Sequence, residues 1–377
     1  MTERPHVHTI RALDGANPLY FLAGLGILAL LDDDAADRAA PNRPALSWAY
    51  ERGQWAGVLR CDLDAEAFVE TVTAHLERAG RVQDADAVKT AQREIRDASA
   101  EIKKRRRAIA ETRKRHAKRP DFDPQRLAET TRDDRESLRH SETSYDLAVD
   151  ALCDGLGAGP AHFGDIIAMR PEVFRRAVDR AERSGDVSRG VLRQLSALGS
   201  DLVESDGGLI EPTPFSFSNG ASGQCLLKDF RGLVSALDKG LVRGFLLDGG
   251  RATKRVTSLN WEPNDLRMHA YQASAPDEDK TPRTDVVANA LAYLGLGVCT
   301  VFPNARSTAL LAVGVRSRAF QWVLWSPPLD LTLARALLAH TSDDRAEWLA
   351  RGIAAAFEST VVNPTGKRKY FAPAVAR

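Results

Sequence analysis

The stretch from Leu13 to Asp34, LDGANPLYFLAGLGILALLDDD, decides the fold. Asp14-Gly15 is a turn signal, Asn17 is a strong N-cap, and Pro18 is pre-set for a first helical position. From Pro18 to Leu31 nearly every residue is apolar or small. Such a helix has no polar face to give to water and must be buried on all sides. It is too short to span a bilayer, and Asp32-Asp33-Asp34 ends it as a solvated loop rather than a metal site. Gly24-x-Gly26-x-x-Ala29 spells a dinucleotide fingerprint. The glycines fall inside a helical pattern, not between a strand and a helix, so close helix packing is the reading.

A helix buried all round needs a large body, and 377 residues can supply one. Fifty-two Lys and Arg face 51 Asp and Glu, for a net charge of +1, with 44% hydrophobic residues. That balance excludes a disordered chain and a uniformly basic nucleic-acid binder. Cys61, Cys153, Cys225 and Cys299 are widely spaced, without a C-x-x-C pair, so no zinc, redox or disulfide framework is expected. MTERPHVHTI carries no signal-peptide core. A cytoplasmic protein without a membrane span is the expectation.

Three segments follow from pattern. Residues 1–84 hold a strand at His6–Ile10 and a hairpin, Leu46–Tyr50 with Trp55–Cys61 around Glu51-Arg52-Gly53-Gln54. A helix capped by Asp64 follows. Residues 85–154 show no strand signal. Val88, Ala91, Ile95, Ala98, Ile102 and Ile109 recur at steps of three and four, a heptad seam. Pro120 stops that helix, and a second begins at Asp123-Pro124 with a seam through Leu127, Leu138, Tyr145 and Leu152. The spacing predicts a long antiparallel coiled-coil hairpin whose first arm runs roughly 50 Å. Residues 155–377 open on the loop Gly155–Pro160. Helices are expected over 171–183, 187–198, 225–236 and 285–296. Strands are expected over 257–261, 308–315 and 319–325, and a last helix from Leu331 or Asp344 to Phe357. Helices and antiparallel hairpins without βαβ alternation give an α+β class with the coiled-coil hairpin inserted.

Catalytic constellations are missing from the sequence. His6-x-His8 lacks nearby partners for a metal, Gly366-Lys367 lacks the upstream glycine of a phosphate loop, and there is no G-x-S-x-G elbow. A non-enzyme without cofactor is expected. Trp48, Trp55, Trp261, Trp322 and Trp325 read as core residues.

The near-zero net charge conceals a local excess. Residues 103–119 hold ten Lys or Arg and a single acidic residue, Glu111. These are Lys103, Lys104, Arg105, Arg106, Arg107, Arg113, Lys114, Arg115, Lys118 and Arg119, placed at the distal tip of the hairpin. Like charges one turn apart repel, and either a polyanion relieves that repulsion or the arm is solvated and neutralised by acidic residues such as Asp133, Asp134 and Glu136. The polar turn 218–224 with Lys228 offers a second candidate, through Asn219, Ser222, Gln224 and Lys228, for phosphate or base-edge contacts. Lys367, Arg368 and Lys369, beside Tyr370-Phe371, offer a third, although a frayed basic tail is the favoured reading there.

Several pieces resemble proteins encoded with type I-G (formerly I-U) CRISPR systems. They are Leu13-Asp14-Gly15-x-Asn17-Pro18-Leu19-x-Phe21-Leu22-Ala23-x-Leu25-Gly26-x-Leu28, then Pro214-Phe215-x-Phe217-x-Asn219-Gly220-x-Ser222-Gly223-Gln224. Leu259-Asn260-Trp261-Glu262-Pro263-Asn264-Asp265-x-Arg267 with Tyr271, and Ala288-Asn289-x-Leu291-Ala292, complete the set. Glu262 stands where the family pattern has Asp, and residues 85–154 have no counterpart. The resemblance implies a large-subunit-like component of an RNA-guided surveillance complex, or the extension found beside its helicase-nuclease. It implies target DNA and crRNA-bound effector subunits as partners, with a helicase-nuclease as a further one. In such systems base pairing reads sequence and protein subunits read a short flanking motif and duplex shape. The reading is a non-catalytic antiviral subunit that contacts DNA through the basic tip. The alternative is a scaffold whose coiled coil recruits the helicase-nuclease without touching DNA.

Overall fold

The computed structural model describes residues 5–40, 42–80, 85–117, 123–154, 169–183, 189–204, 208–217, 225–263, 283–304, 310–316, 318–339, 344–363 and 369–377. It mixes helices with antiparallel strands, an α+β architecture. The chain divides into two compact units. One is built from Met1–Arg81 and Asp165–Arg377, the other from Val82–Gly157.

In the first unit, β1 (His6–Ile10), β2 (Ala45–Glu51) and β3 (Gln54–Cys61) form a sheet in the order β1-β3-β2, and α1 (Pro18–Asp37) and α2 (Ala65–Gly80) follow β1 and β3. The second unit holds α3 (Ala85–Ala117), α4 (Pro124–Thr130) and α5 (Arg132–Asp154). The first unit resumes with α6 (Pro171–Arg183), α7 (Arg189–Leu198), α8 (Leu226–Ser235) and α9 (Lys239–Leu246). Then come β4 (Thr253–Arg255), β5 (Arg283–Asp285), α10 (Val286–Gly295), β6 (Val301–Pro303), β7 (Leu310–Ala312), β8 (Val315–Arg316) and β9 (Ala319–Trp325). The chain closes with α11 (Leu331–Leu338), α12 (Arg345–Ala350), β10 (Ile353–Val362), β11 (Tyr370–Phe371) and β12 (Val375–Ala376). The last sheet runs β11-β10-β9-β8, with β12 also on β10.

The segments 1–84 and 155–377, separate by sequence pattern, share one core. The helix α1 is buried as expected, and the Asn17 side chain accepts from the Leu19 N–H. Its neighbour is α10, itself apolar all round. The two approach at glycines: a Cβ on Gly26 would collide with the Leu291 carbonyl, and one on Gly295 with the Leu22 carbonyl. Only glycine, which has no Cβ, allows that crossing. Phe21 projects from α1 into an aromatic cluster, its ring 5.8 Å from Trp48, 5.7 Å from Trp322 and 6.3 Å from Trp325. Trp322 Nε1 donates to the Gly15 carbonyl (2.8 Å) and Trp325 Nε1 to the Leu46 carbonyl (2.6 Å), tying the C-terminal sheet to the N-terminal one. Trp48, Trp261, Trp322 and Trp325 are core residues, whereas Trp55 is half-buried and packs 5.3 Å from the exposed Tyr50 ring.

Three expectations need correction. Residues 353–357 form the start of β10 rather than the end of a helix. They pair with β9 in a register from Ile353↔Trp325 to Thr360↔Ala319, and sheet pairing outweighs the helix propensity of the alanines. Residues 257–261 are irregular, because Asn289 and Phe215 bind that backbone and indole from the side (below), and Asn260 sits at φ 63°. The Asp triplet is not a solvated loop. It lies within α1, and each carboxylate meets a guanidinium: Asp32 with Arg43 at 3.2 Å, Asp33 with Arg193 at 2.6 Å, and Asp34 with Arg38 at 2.8 Å.

In the second unit α3 packs along α5. The seam is buried at Val88, Ala91 and Ile102 on one helix and at Tyr145, Ala148, Val149 and Leu152 on the other. The expected second helix is interrupted at Thr131. Asp123 caps α4 through the Gln125 N–H, and the buried Thr131 hydroxyl donates back to the Leu127 carbonyl (2.8 Å) where α4 gives way to α5. No helix among the described residues is long and apolar enough to cross a membrane.

Candidate nucleic-acid interface

The helix α3 is aligned for its charge. Asp86 lies in its first turn, and Lys114, Arg115 and His116 lie in its last, each sign where the helix dipole favours it. At 3.6 residues per turn the cations separate into arcs. Arg105, Arg106 and Arg113 flank the seam. Lys103, Arg107 and Lys114 follow one another at steps of four and seven along one outer face. Lys104 and Arg115 occupy another.

The arcs differ in what they touch. Arg105 is half-buried and donates to Glu101 (2.7 Å) and Asp134 (2.9 Å). Its hydrogen bond to Asp134, followed by that to Glu101, raises its pKa, and Arg105 in turn lowers that of Glu101. Arg106 donates to Glu142 across the helix pair (2.9 Å). Lys104 lies 3.5 Å from Glu101 and Arg115 3.7 Å from Glu111. Lys103, Arg107, Arg113 and Lys114 are exposed and have no acidic partner among the described residues. The basic cluster therefore separates into guanidiniums that hold the helix pair together and a stripe that faces outward.

Lys118, Arg119, Asn219, Ser222, Gln224, Lys367 and Arg368 lie outside the described residues. Lys228 is exposed on α8, and Lys369 is exposed with its backbone N–H donating to the Phe217 carbonyl at 3.4 Å. Both belong to the first unit, and the tip cluster belongs to the second.

A polar centre in the first unit escaped the sequence reading. Asp285 caps α10 by accepting the Ala288 N–H on Oδ1 (3.0 Å), and its Oδ2 accepts the Tyr20 hydroxyl of α1 (3.4 Å). The Arg251 guanidinium covers the Tyr20 ring at 4.7 Å and lies 3.9 Å from the buried Glu262. Burial, followed by repulsion from Glu262, raises the Asp285 pKa to about 6 against the pull of its hydrogen bonds. Asn289 donates to the Thr284 hydroxyl and the Asp285 carbonyl (both 2.9 Å) and accepts the Leu259 N–H (3.2 Å). Trp261 Nε1 donates to the Phe215 carbonyl (3.0 Å). Four stretches distant in sequence thus meet around one helix cap. Asp285 was legible as the start of a helix, but the carboxylate, phenol and guanidinium around it come from elements too far apart for spacing to join them.

His8 Nε2 lies 2.9 Å from the Leu63 carbonyl, and its ring packs 4.9 Å from Phe68. Among the described residues no group of three or more His, Cys, Asp or Glu is placed to hold a metal ion. Comparison with protein-family models, with curated proteins and with solved structures returned no match.

Proposed function

We propose that this chain is a non-catalytic subunit that contacts nucleic acid through the outer face of α3. The observation that carries the reading is the stripe Lys103, Arg107 and Lys114, joined by Arg113. These cations are exposed and unneutralised among the described residues, on a helix whose Arg105 and Arg106 are already paired. Phosphate contacts of this kind give affinity without sequence specificity and leave sequence to be read elsewhere. The resemblance of the Leu13–Leu28, 214–224, 259–271 and 288–292 stretches adds a setting. That setting is a type I RNA-guided surveillance complex in the cytoplasm, with target DNA and crRNA-bound subunits as partners. In this reading the second unit is an antiparallel coiled-coil hairpin that presents the stripe to the nucleic acid.

The test compares two sets of charge changes in the full chain, with fluorescence anisotropy on labelled duplex and single-stranded DNA. K103E/R107E/K114E weakens binding at least roughly tenfold and evenly across sequences. R105A and R106A, which remove paired guanidiniums, leave the affinity within about twofold. Equal losses in the two sets, or none in the first, overturn the reading. Retained DNA affinity combined with loss of a co-purifying helicase-nuclease favours the scaffold alternative.

A further inference from the structure

Beside the outward stripe, α3 and α5 enclose a groove of about 440 Å³ lined by Arg106, Ile109, Ala110, Arg113, Lys114 and Leu138, with Ala117 at its end. The floor is aliphatic and the rim is cationic. Phosphates alone would leave Ile109 and Leu138 half-buried and unfilled, and among the described residues the floor offers no aromatic face on which a base could stack. Ile109, Ala110, Arg113 and Ala117 succeed one another along two helical turns, so the groove has the length and direction of a helix face.

The same unit carries a surface of matching chemistry. From Glu142 to Asp154, α5 has four acidic residues and no Lys or Arg. Leu147 is 67% exposed, the one large exposed hydrophobic residue among those described in α3, α4 and α5. Asp146 and Asp150 are exposed beside it, and Ala151 extends its apolar strip by one turn. On the α5 wheel this face points away from the seam residues Tyr145, Ala148 and Leu152, so the groove of its own helix pair cannot receive it.

We infer that the tip groove is a self-association site that takes the acidic outer face of α5 from a second copy of this chain. Leu147 and Ala151 of the incoming copy fill the aliphatic floor. Asp146 and Asp150 face Arg113 and Lys114. Each copy carries both halves of the contact, so one interaction serves every copy. The pairing needs no nucleic acid, and it shares Arg113 and Lys114 with the DNA-contact reading. Lys103 and Arg107 do not line the groove and stay on the outer face.

Sedimentation velocity of the full chain without nucleic acid, over a concentration series, tests the inference. The wild type moves to a larger species as concentration rises, and L147E remains monomeric. R113E/K114E and D146K/D150K each remain monomeric alone, and an equimolar mixture of the two associates, because the swapped charges again face each other. Circular dichroism of each variant confirms that the helices remain, so unfolding does not imitate a failure to associate. A wild type that is monomeric at all concentrations overturns the proposal. So does association that L147E leaves intact, or a charge-swapped mixture that stays monomeric while the helices persist.

Discussion

Two helix pairs carry this molecule, and they are built on opposite principles. The helices α1 and α10 meet backbone to backbone through Gly26 and Gly295, with largely apolar, buried residues around the contact. The helices α3 and α5 meet along a thin seam of small or single large residues, with charge on the remaining surface and ion pairs such as Arg105–Asp134 and Arg106–Glu142 across the contact. The first pair gains its stability from close packing, where dispersion and apolar burial are densest. The second leaves most of its surface in water, where single ion pairs contribute little. The difference separates a buried frame from a helix pair whose charged surface is largely exposed.

That contrast can be broken by substitution. The largest effect is expected at Arg193→Met. Arg193 donates to Asp33 and to the Ala29 carbonyl in the C-terminal half of α1, and Asp33 Oδ1 has no hydrogen-bond partner. Burial already raises the Asp33 pKa more than Arg193 lowers it. Removing the guanidinium strands a buried carboxylate and costs about 3–5 kcal/mol in urea denaturation. Next is Gly26→Ala. In an exposed helix that change stabilises by about 1 kcal/mol, but here the new methyl meets the Leu291 carbonyl, and a loss of roughly 3 kcal/mol is expected. A gain in stability at Gly26 would remove the basis of the comparison.

Asp285→Asn sharpens it through pH. The folded-state pKa of Asp285 is raised to about 6, so the native protein holds a proton there that the unfolded chain releases. The stability linked to that proton is fully present below the ordinary carboxylate pKa and is lost as pH rises through 6. Asparagine keeps the cap acceptor and has no charge to desolvate. The stability of D285N relative to wild type therefore climbs between pH 4 and 7.5, to roughly 2 kcal/mol, as melting curves at several pH values would read. A difference that is flat with pH contradicts the assignment. The smallest effect belongs to the charged pair: Glu142→Ala removes the partner of Arg106 and costs about 0.2–1 kcal/mol, less in high salt.

Local structure was largely legible in the sequence because its signals are local. Asn17, Asp64 and Asp123 each cap the helix their position announced, and the Glu51–Gln54 turn joins β2 and β3 as read. What failed depended on distant partners. Alanine-rich residues 353–357 read as helix because β9, which makes them a strand, is not adjacent in the pattern. Gly352, at φ +71° after α12, was the available stop signal. The union of the first and last segments into one core rests on contacts such as Trp322 to Gly15, which no spacing reveals. The basic cluster was legible as charge, but its division was not. That Arg105 and Arg106 face carboxylates while Lys103, Arg107 and Lys114 face outward depends on how α5 lies against α3.

The division of charge on α3 is tested most directly by the salt dependence of DNA affinity, measured for the full chain and for K103E/R107E/K114E. If the outer stripe neutralises phosphates, the variant's slope of log affinity against log salt on duplex DNA is shallower by about 3, near 0.9 for every phosphate that regains its counterions. An unchanged slope would contradict the account.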